Sequence, residues 1–122
     1  MPAFSLSATT LDTPDPQGLA RFSQRLLGGP IVDPDPEWAT LRPEGGGPGL
    51  SFQREERQVR PVWPAGPGDP QMQVHLDIAV DDLEAAVAAA VAAGATVAEF
   101  QPQDDVRVCL DPAGHPFCLF LP

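Results

Sequence analysis

The 122-residue sequence contains no lysine and no tyrosine. Its seven cations are all arginine, set against 17 acidic residues, for a formal net charge of −10. Such a field repels phosphate backbones and anionic lipid, so neither nucleic acid nor a membrane surface is expected as a partner. No apolar run approaches the roughly 20 residues that span a bilayer. Residues 1–4 show no basic segment ahead of an apolar one, so no secretory signal is expected. Two cysteines are too few for a disulfide scaffold; free thiols and a cytoplasmic location are expected. The chain also lacks Cys-x-x-Cys, His-x-His and a recognisable Ser-His-Asp arrangement. The glycines at 45–47 lack the following lysine and helix of a phosphate loop, so they read as a hairpin turn.

What is present is 43% hydrophobic and 20% charged, the balance of a folded chain with room for one domain. Residues 4–11 read as a strand. Asp15 is a good helix cap and Pro16 suits the first helical position. Leu19, Phe22, Leu26 and Leu27 follow at helical spacing, and Gly28 stops a helix of about 12 residues. Ile31 and Val32 form a short edge strand; residues 38–41 and 50–53 form two more. Residues 54–71, charged and then proline-rich, read as a linker. Trp63 breaks its polarity and is expected to pack down, over a pocket mouth.

Residues 74–80 alternate cleanly, with Val74, Leu76, Ile78 and Val80 on one face and His75, Asp77 and Ala79 on the other. Asp81 or Asp82 caps the next helix, whose stripe is Leu83, Val87 and Val91 and whose stop is Gly94. Strands are expected at 96–100, 105–110 and 117–121, with a turn at 111–115 holding His115. Both halves therefore read strand, Asp-capped helix, glycine, three strands. The expected fold class is α+β: two βαβββ modules paired into a cupped, half-open mixed sheet. The expected divisions are module one at about 1–56, a linker at about 57–71 and module two at about 72–122, all in a single domain.

In this order the pieces Leu26-Leu-Gly28, Val74-His-Leu-Asp-Ile-Ala-Val-Asp-Asp-Leu83, Gly94-Ala95 and Asp111-Pro-Ala-Gly-His-Pro-Phe117 resemble the vicinal oxygen chelate superfamily. This is the glyoxalase/bleomycin resistance protein/dioxygenase group, and the resemblance is to its small glyoxalase-like branch. It spans essentially the full length. It implies a small-molecule ligand in the sheet cup and, in the family's lyases, isomerases and dioxygenases, a divalent metal on up to four side chains. Homodimers that exchange modules also occur in the family.

Counted from the shared landmarks, the four ligand positions of the resemblance fall at Ala8, Gly49, His75 and Cys118. A slip at Gly49 would offer Ser51 or Gln53 instead. Two positions carry no donor, so no residue is assigned to metal and a divalent metal is not the favoured cofactor. The favoured reading is a protein that binds a small organic molecule without the four-ligand site; the alternative is a metal-dependent lyase, isomerase or dioxygenase. His75 and Asp77 are the candidate catalytic pair, Asp77 orienting or activating the imidazole. A structural role for His75 in the sheet stays open. Candidate ligand contacts are Thr10, Trp38, Trp63, His75, Cys118 and Phe120, with Phe4 and Leu6 on the same wall. The chain's acidity suits a cationic ligand, on which Trp63 can stack. Cys109 and Cys118 lie symmetrically about the turn at 111–115, so a symmetric hairpin would set them face to face.

Overall fold

The first strand that forms is not the one that the apolar pattern suggests. In a computed structural model describing residues 2–122, β1 is Ala8–Thr13, starting four residues later than expected at 4. Phe4 and Leu6 lie ahead of it at 92% and 73% exposure, with no partners to bury them. The described residues divide into two units, the first ending at Gln58 and the second beginning at Val59.

In the first unit β1 is followed by α1 (Pro16–Leu27), β2 (Ile31–Val32), β3 (Trp38–Leu41) and β4 (Gly49–Arg54). The Asp15 carboxylate accepts from the Gly18 amide at 3.0 Å, satisfying one of the orphan donors of the first turn. Gly28, at φ +67°, ends the helix with its amide on the Gln24 carbonyl. The sheet order is β1-β4-β3-β2, with β1 and β4 parallel and the other pairs antiparallel. Leu11, Ala39, Leu41, Leu50 and Phe52 are buried on the face that packs against α1, with Leu19, Ala20 and Phe22. Truncating a residue like the fully buried Phe52 to alanine costs about 3–5 kcal/mol.

The second unit repeats the topology with β5 (Leu76–Ala79), α2 (Leu83–Ala93), β6 (Thr96–Val97), β7 (Val106–Leu110) and β8 (Pro116–Phe120). Its order is β5-β8-β7-β6, again with one parallel pair, β5 on β8. Asp82 caps α2 by accepting from the Ala85 amide at 3.0 Å. Both halves are thus βαβββ modules of a mixed four-stranded sheet and one helix.

Three expectations change here. The stripe Leu83, Val87, Val91 is not the buried face of α2: Val91 is 48% exposed and Ala90 is the fully buried residue. Steps of four residues drift around a helix of 3.6 per turn, whereas 83, 86, 87 and 90 stay on one side. Strand β6 stops at Val97 rather than 100, because the Gln101 side chain takes over its pairing. Gln101 bonds both the amide and the carbonyl of Val108, and the Ala98 carbonyl as well. Finally, residues 59–71, expected as a linker, group by contacts with the second unit. The Val62 amide donates to the Pro70 carbonyl at 2.8 Å, and Arg60 donates to the Pro112 carbonyl at 2.9 Å.

The β7–β8 turn is built by one buried carboxylate. Asp111 Oδ1 accepts from the Ala113 and His115 amides, each at 2.9 Å, and Oδ2 lies 2.8 Å from His115 Nδ1. His115 is accordingly a turn-stabilising residue. Gly114 has φ +88°, a conformation that favours glycine; a Cβ there would sit 2.8 Å from the Arg60 guanidinium, which as the end of a flexible side chain can give way, so the backbone angle is what calls for glycine. Asp111→Ala strands two amides and an imidazole and is expected to cost roughly 3 kcal/mol. Asp15→Ala should cost about 1 kcal/mol as an exposed cap. Urea unfolding of both variants checks the ranking, and equal losses would refute it.

Candidate functional site

Strand pairing in the second unit brings three polar side chains together. β5 and β8 run parallel in a register that sets Asp77 beside Cys118. Registered partners project to the same side of a sheet, and so does His75, two residues before Asp77. That face, away from α2, also carries Val106 and Phe120, themselves partners across β7–β8, and Val108, which pairs with Cys118.

His75 Nε2 lies 3.1 Å from Asp77 Oδ1. The imidazole is covered by the Trp63 ring, stacked at 5.1 Å between centroids and 24° between planes. Trp63 is in turn met edge-on by Phe100 at 5.4 Å. Side-chain exposure is 32% for His75 and 61% for Asp77, while Cys118 as a residue is 4% exposed. Trp63, His75, Asp77 and Cys118 line a cavity of ≈ 430 Å³ together with Val108 and Phe120, with Asp105 as a second carboxylate; Phe100 stands behind Trp63.

The thiol of Cys118 is pushed above its ordinary pKa, first by burial, then by the negative charge of Asp77 and by a hydrogen bond to that carboxylate. Each cause favours the neutral thiol, so this environment works against Cys118 as an activated nucleophile. Asp77 therefore sits between an imidazole and a thiol. The thiol is a second neighbour, beyond the imidazole that strand alternation alone suggests.

Of the ligand contacts expected from the sequence, Trp63, His75, Cys118 and Phe120 come together in this cavity, along with Asp77. Thr10 and Trp38 lie in the first unit, on the face of its sheet away from α1. Thr10 is exposed there, and Trp38 Nε1 donates to Thr40 Oγ1 at 3.1 Å. Val106, Val108 and Asp105 were missed as cavity residues, as was Phe100 behind Trp63; the parity of β7 relative to Phe120 was the available signal for the two valines.

Two register expectations are corrected. Cys109 pairs with Phe117 and Cys118 with Val108, so the hairpin is one residue off symmetric and the two thiols point to opposite faces. Both are free and buried. The repeat count was also off by two at β4. Thr10 precedes the Asp15 cap by five residues as Asp77 precedes Asp82, and Thr10 pairs with Ser51 as Asp77 pairs with Cys118. Ser51, not Gly49, is thus the counterpart of Cys118. Its hydroxyl is engaged with Thr40 Oγ1 at 3.0 Å. A Cβ at Gly49 would lie 3.0 Å from the Leu41 carbonyl oxygen, which leaves no easy room for any side chain.

Replacing Asp77 by Asn removes the charge that raises the Cys118 pKa while leaving its burial. Alkylation of Cys118 by iodoacetamide, followed against pH by peptide mass spectrometry, should then shift to lower pH than in the unaltered protein. An unmoved profile would separate the carboxylate from the thiol.

The chain matches the glyoxalase-like domain family over residues 8–120. No curated protein matches it. Among solved structures, it resembles a glyoxalase/bleomycin resistance protein/dioxygenase family enzyme from Burkholderia phytofirmans PsJN, with a TM-score of 0.72 and 21% identity over 95% of this chain and 97% of that one. A glyoxalase-related enzyme from Fulvimarina pelagi gives 0.68 and 19%, over 97% and 88% of the two chains. An antibiotic-binding protein from Streptomyces sp. CB03234 gives 0.62 and 19%, over 100% and 98%. At these identities the likeness is one of fold, while the match over residues 8–120 spans nearly the whole sequence: the chain belongs to the glyoxalase-like domain family.

Proposed function

We propose that the protein binds a small organic molecule, aromatic and cationic, in the cavity of its second unit. The observation that carries this reading is the composition of that cavity. Trp63, Val106, Val108 and Phe120 supply apolar and aromatic wall, and Asp77 and Asp105 supply two carboxylates. No arginine is among its described lining residues, and the one imidazole lies 3.1 Å from the Asp77 carboxylate. A volume of ≈ 430 Å³ suits a drug-sized or smaller ligand. An anion entering there would meet like charge, whereas a cation gains Coulomb attraction and an aromatic face. The antibiotic-binding protein of the same fold lends support by analogy of fold alone.

A divalent-metal lyase, isomerase or dioxygenase is the alternative that the family offers. The four-ligand centre of such enzymes does not fit this chain. Ala8 carries no donor, Gly49 is crowded by backbone, and Ser51 is a neutral hydroxyl bonded to Thr40. No catalytic step is therefore assigned through that centre. His75 and Asp77 stand as an adjacent imidazole–carboxylate pair, with Trp63 stacked on the ring.

A thermal-shift screen of aromatic amines and quaternary ammonium compounds, against neutral and anionic analogues, tests the reading. Cations are expected to raise Tm most. Trp63→Ala should weaken the best of them by about tenfold, the loss of one stacking contact. Preference for anions, or indifference to Trp63→Ala, would refute the proposal.

A further inference from the structure

His75 and Cys118, counted alone, make too small a donor set for a metal. The pairing of β5 with β8 adds a third donor that strand counting passed over, Asp77. A ring nitrogen, a carboxylate oxygen and a thiol sulfur from these residues all lie within 4.8 Å of one another. Tetrahedral zinc, with bonds of about 2.0–2.3 Å, needs its donors roughly 3.3–3.8 Å apart. Nitrogen and oxygen already stand 3.1 Å apart, so side-chain rotation rather than backbone movement completes the set.

We propose that the second unit by itself holds one thiophilic divalent cation of the zinc class, bound by His75, Asp77 and Cys118, with the fourth position open to the cavity. This site differs from the four-ligand centre in drawing every protein donor from one sheet. It also goes beyond the organic-ligand reading and does not depend on it.

The donor types choose the ion. One sulfur, one nitrogen and one oxygen suit a borderline-soft ion in four-coordination, and poorly suit magnesium or calcium, which require six or more oxygens. Preorganisation favours binding as well. Asp77 and Cys118 are fixed by parallel strand pairing, and the His75 ring is held under Trp63. The step balances without redox change: the Cys118 S–H bond breaks, a sulfur–metal bond forms, and one proton leaves to solvent. His75 and Asp77 are the exposed members of the set, so the ion enters from their side and reaches the buried sulfur last.

The test uses the full chain, stripped with a chelator and dialysed. Equilibrium dialysis with zinc and metal analysis should give one equivalent bound. Titration with cobalt(II) should give a near-ultraviolet sulfur-to-cobalt charge-transfer band that saturates at one equivalent. Cys118→Ser should abolish the band. His75→Ala and Asp77→Asn, at exposed positions that tolerate change, should each weaken zinc at least the roughly 10- to 100-fold that losing even an outer partner costs a metal site. Asp12→Asn, an exposed carboxylate of the first unit, should leave band and stoichiometry unchanged. Zinc uptake without the cobalt band, uptake that ignores His75→Ala and Asp77→Asn, or no stoichiometric uptake overturns the proposal. None of these outcomes alters the expected response to organic cations in stripped protein, so the two readings fail separately.

Discussion

The parallel pairing of β5 with β8 is the constraint on which the chemistry of this chain depends. Shifted by one residue, the same strands would put the carboxylate of Asp77 and the thiol of Cys118 on opposite faces. In the register observed, a charged group lies against a buried sulfur, and the sulfur answers by holding its proton. The imidazole of His75 then completes a line of three polar groups along one face, closed on one side by Trp63. The other face of the same strands, with Phe117 and Leu119, is ordinary buried packing. Each strand thus serves stability with one set of residues and the cavity with the alternate set.

The first unit shows what this architecture looks like without that chemistry. Its parallel pair, β1 on β4, sets Thr10 beside Ser51 in the place of Asp77 and Cys118. Ser51, Thr40 and Trp38 form a hydrogen-bonded row of neutral groups. A hydroxyl row of this kind satisfies itself and carries no net charge, so it offers a cation no carboxylate attraction of the kind Asp77 supplies. Gly49 sits where the approach of the Leu41 carbonyl disfavours a side chain. The repeat is one of backbone, and the two units have parted in what their sheets present.

Much of this was legible in the residues. The Asp15 and Asp82 caps, the glycine stops and the alternation around Leu76 and Ile78 are local signals, read over a few neighbours, and they predicted the βαβββ order and the face of His75. What failed to read was set by register and by distance. No local pattern says that Cys109 pairs with Phe117 rather than Cys118, since a one-residue shift of a hairpin leaves its composition unchanged. Val91 looked buried because apolar residues at steps of four imitate a helical stripe over two turns. Trp63 was expected to pack, but its target lies 12 residues on across a proline-rich segment, and only the folded chain shows that it covers His75. The role of Asp77 was half visible: its face followed from parity, its second neighbour only from pairing with β8.

The state of Asp77 also limits what can occupy the cavity. Its carboxylate lies beside a buried thiol and 3.1 Å from an imidazole, and as an acceptor it offers no donor to an incoming neutral acceptor. An incoming anion faces Asp77 and Asp105 together in a partly enclosed space, where charges are screened less than on the open surface. The two occupants proposed above would each improve on the resting arrangement. One is an organic cation, which adds charge to the contact and leaves the thiol protonated. The other is a thiophilic metal ion, which replaces the thiol proton and turns all three side chains to a common centre. Both are cations, and both are favoured by the same placement of a carboxylate beside a buried sulfur.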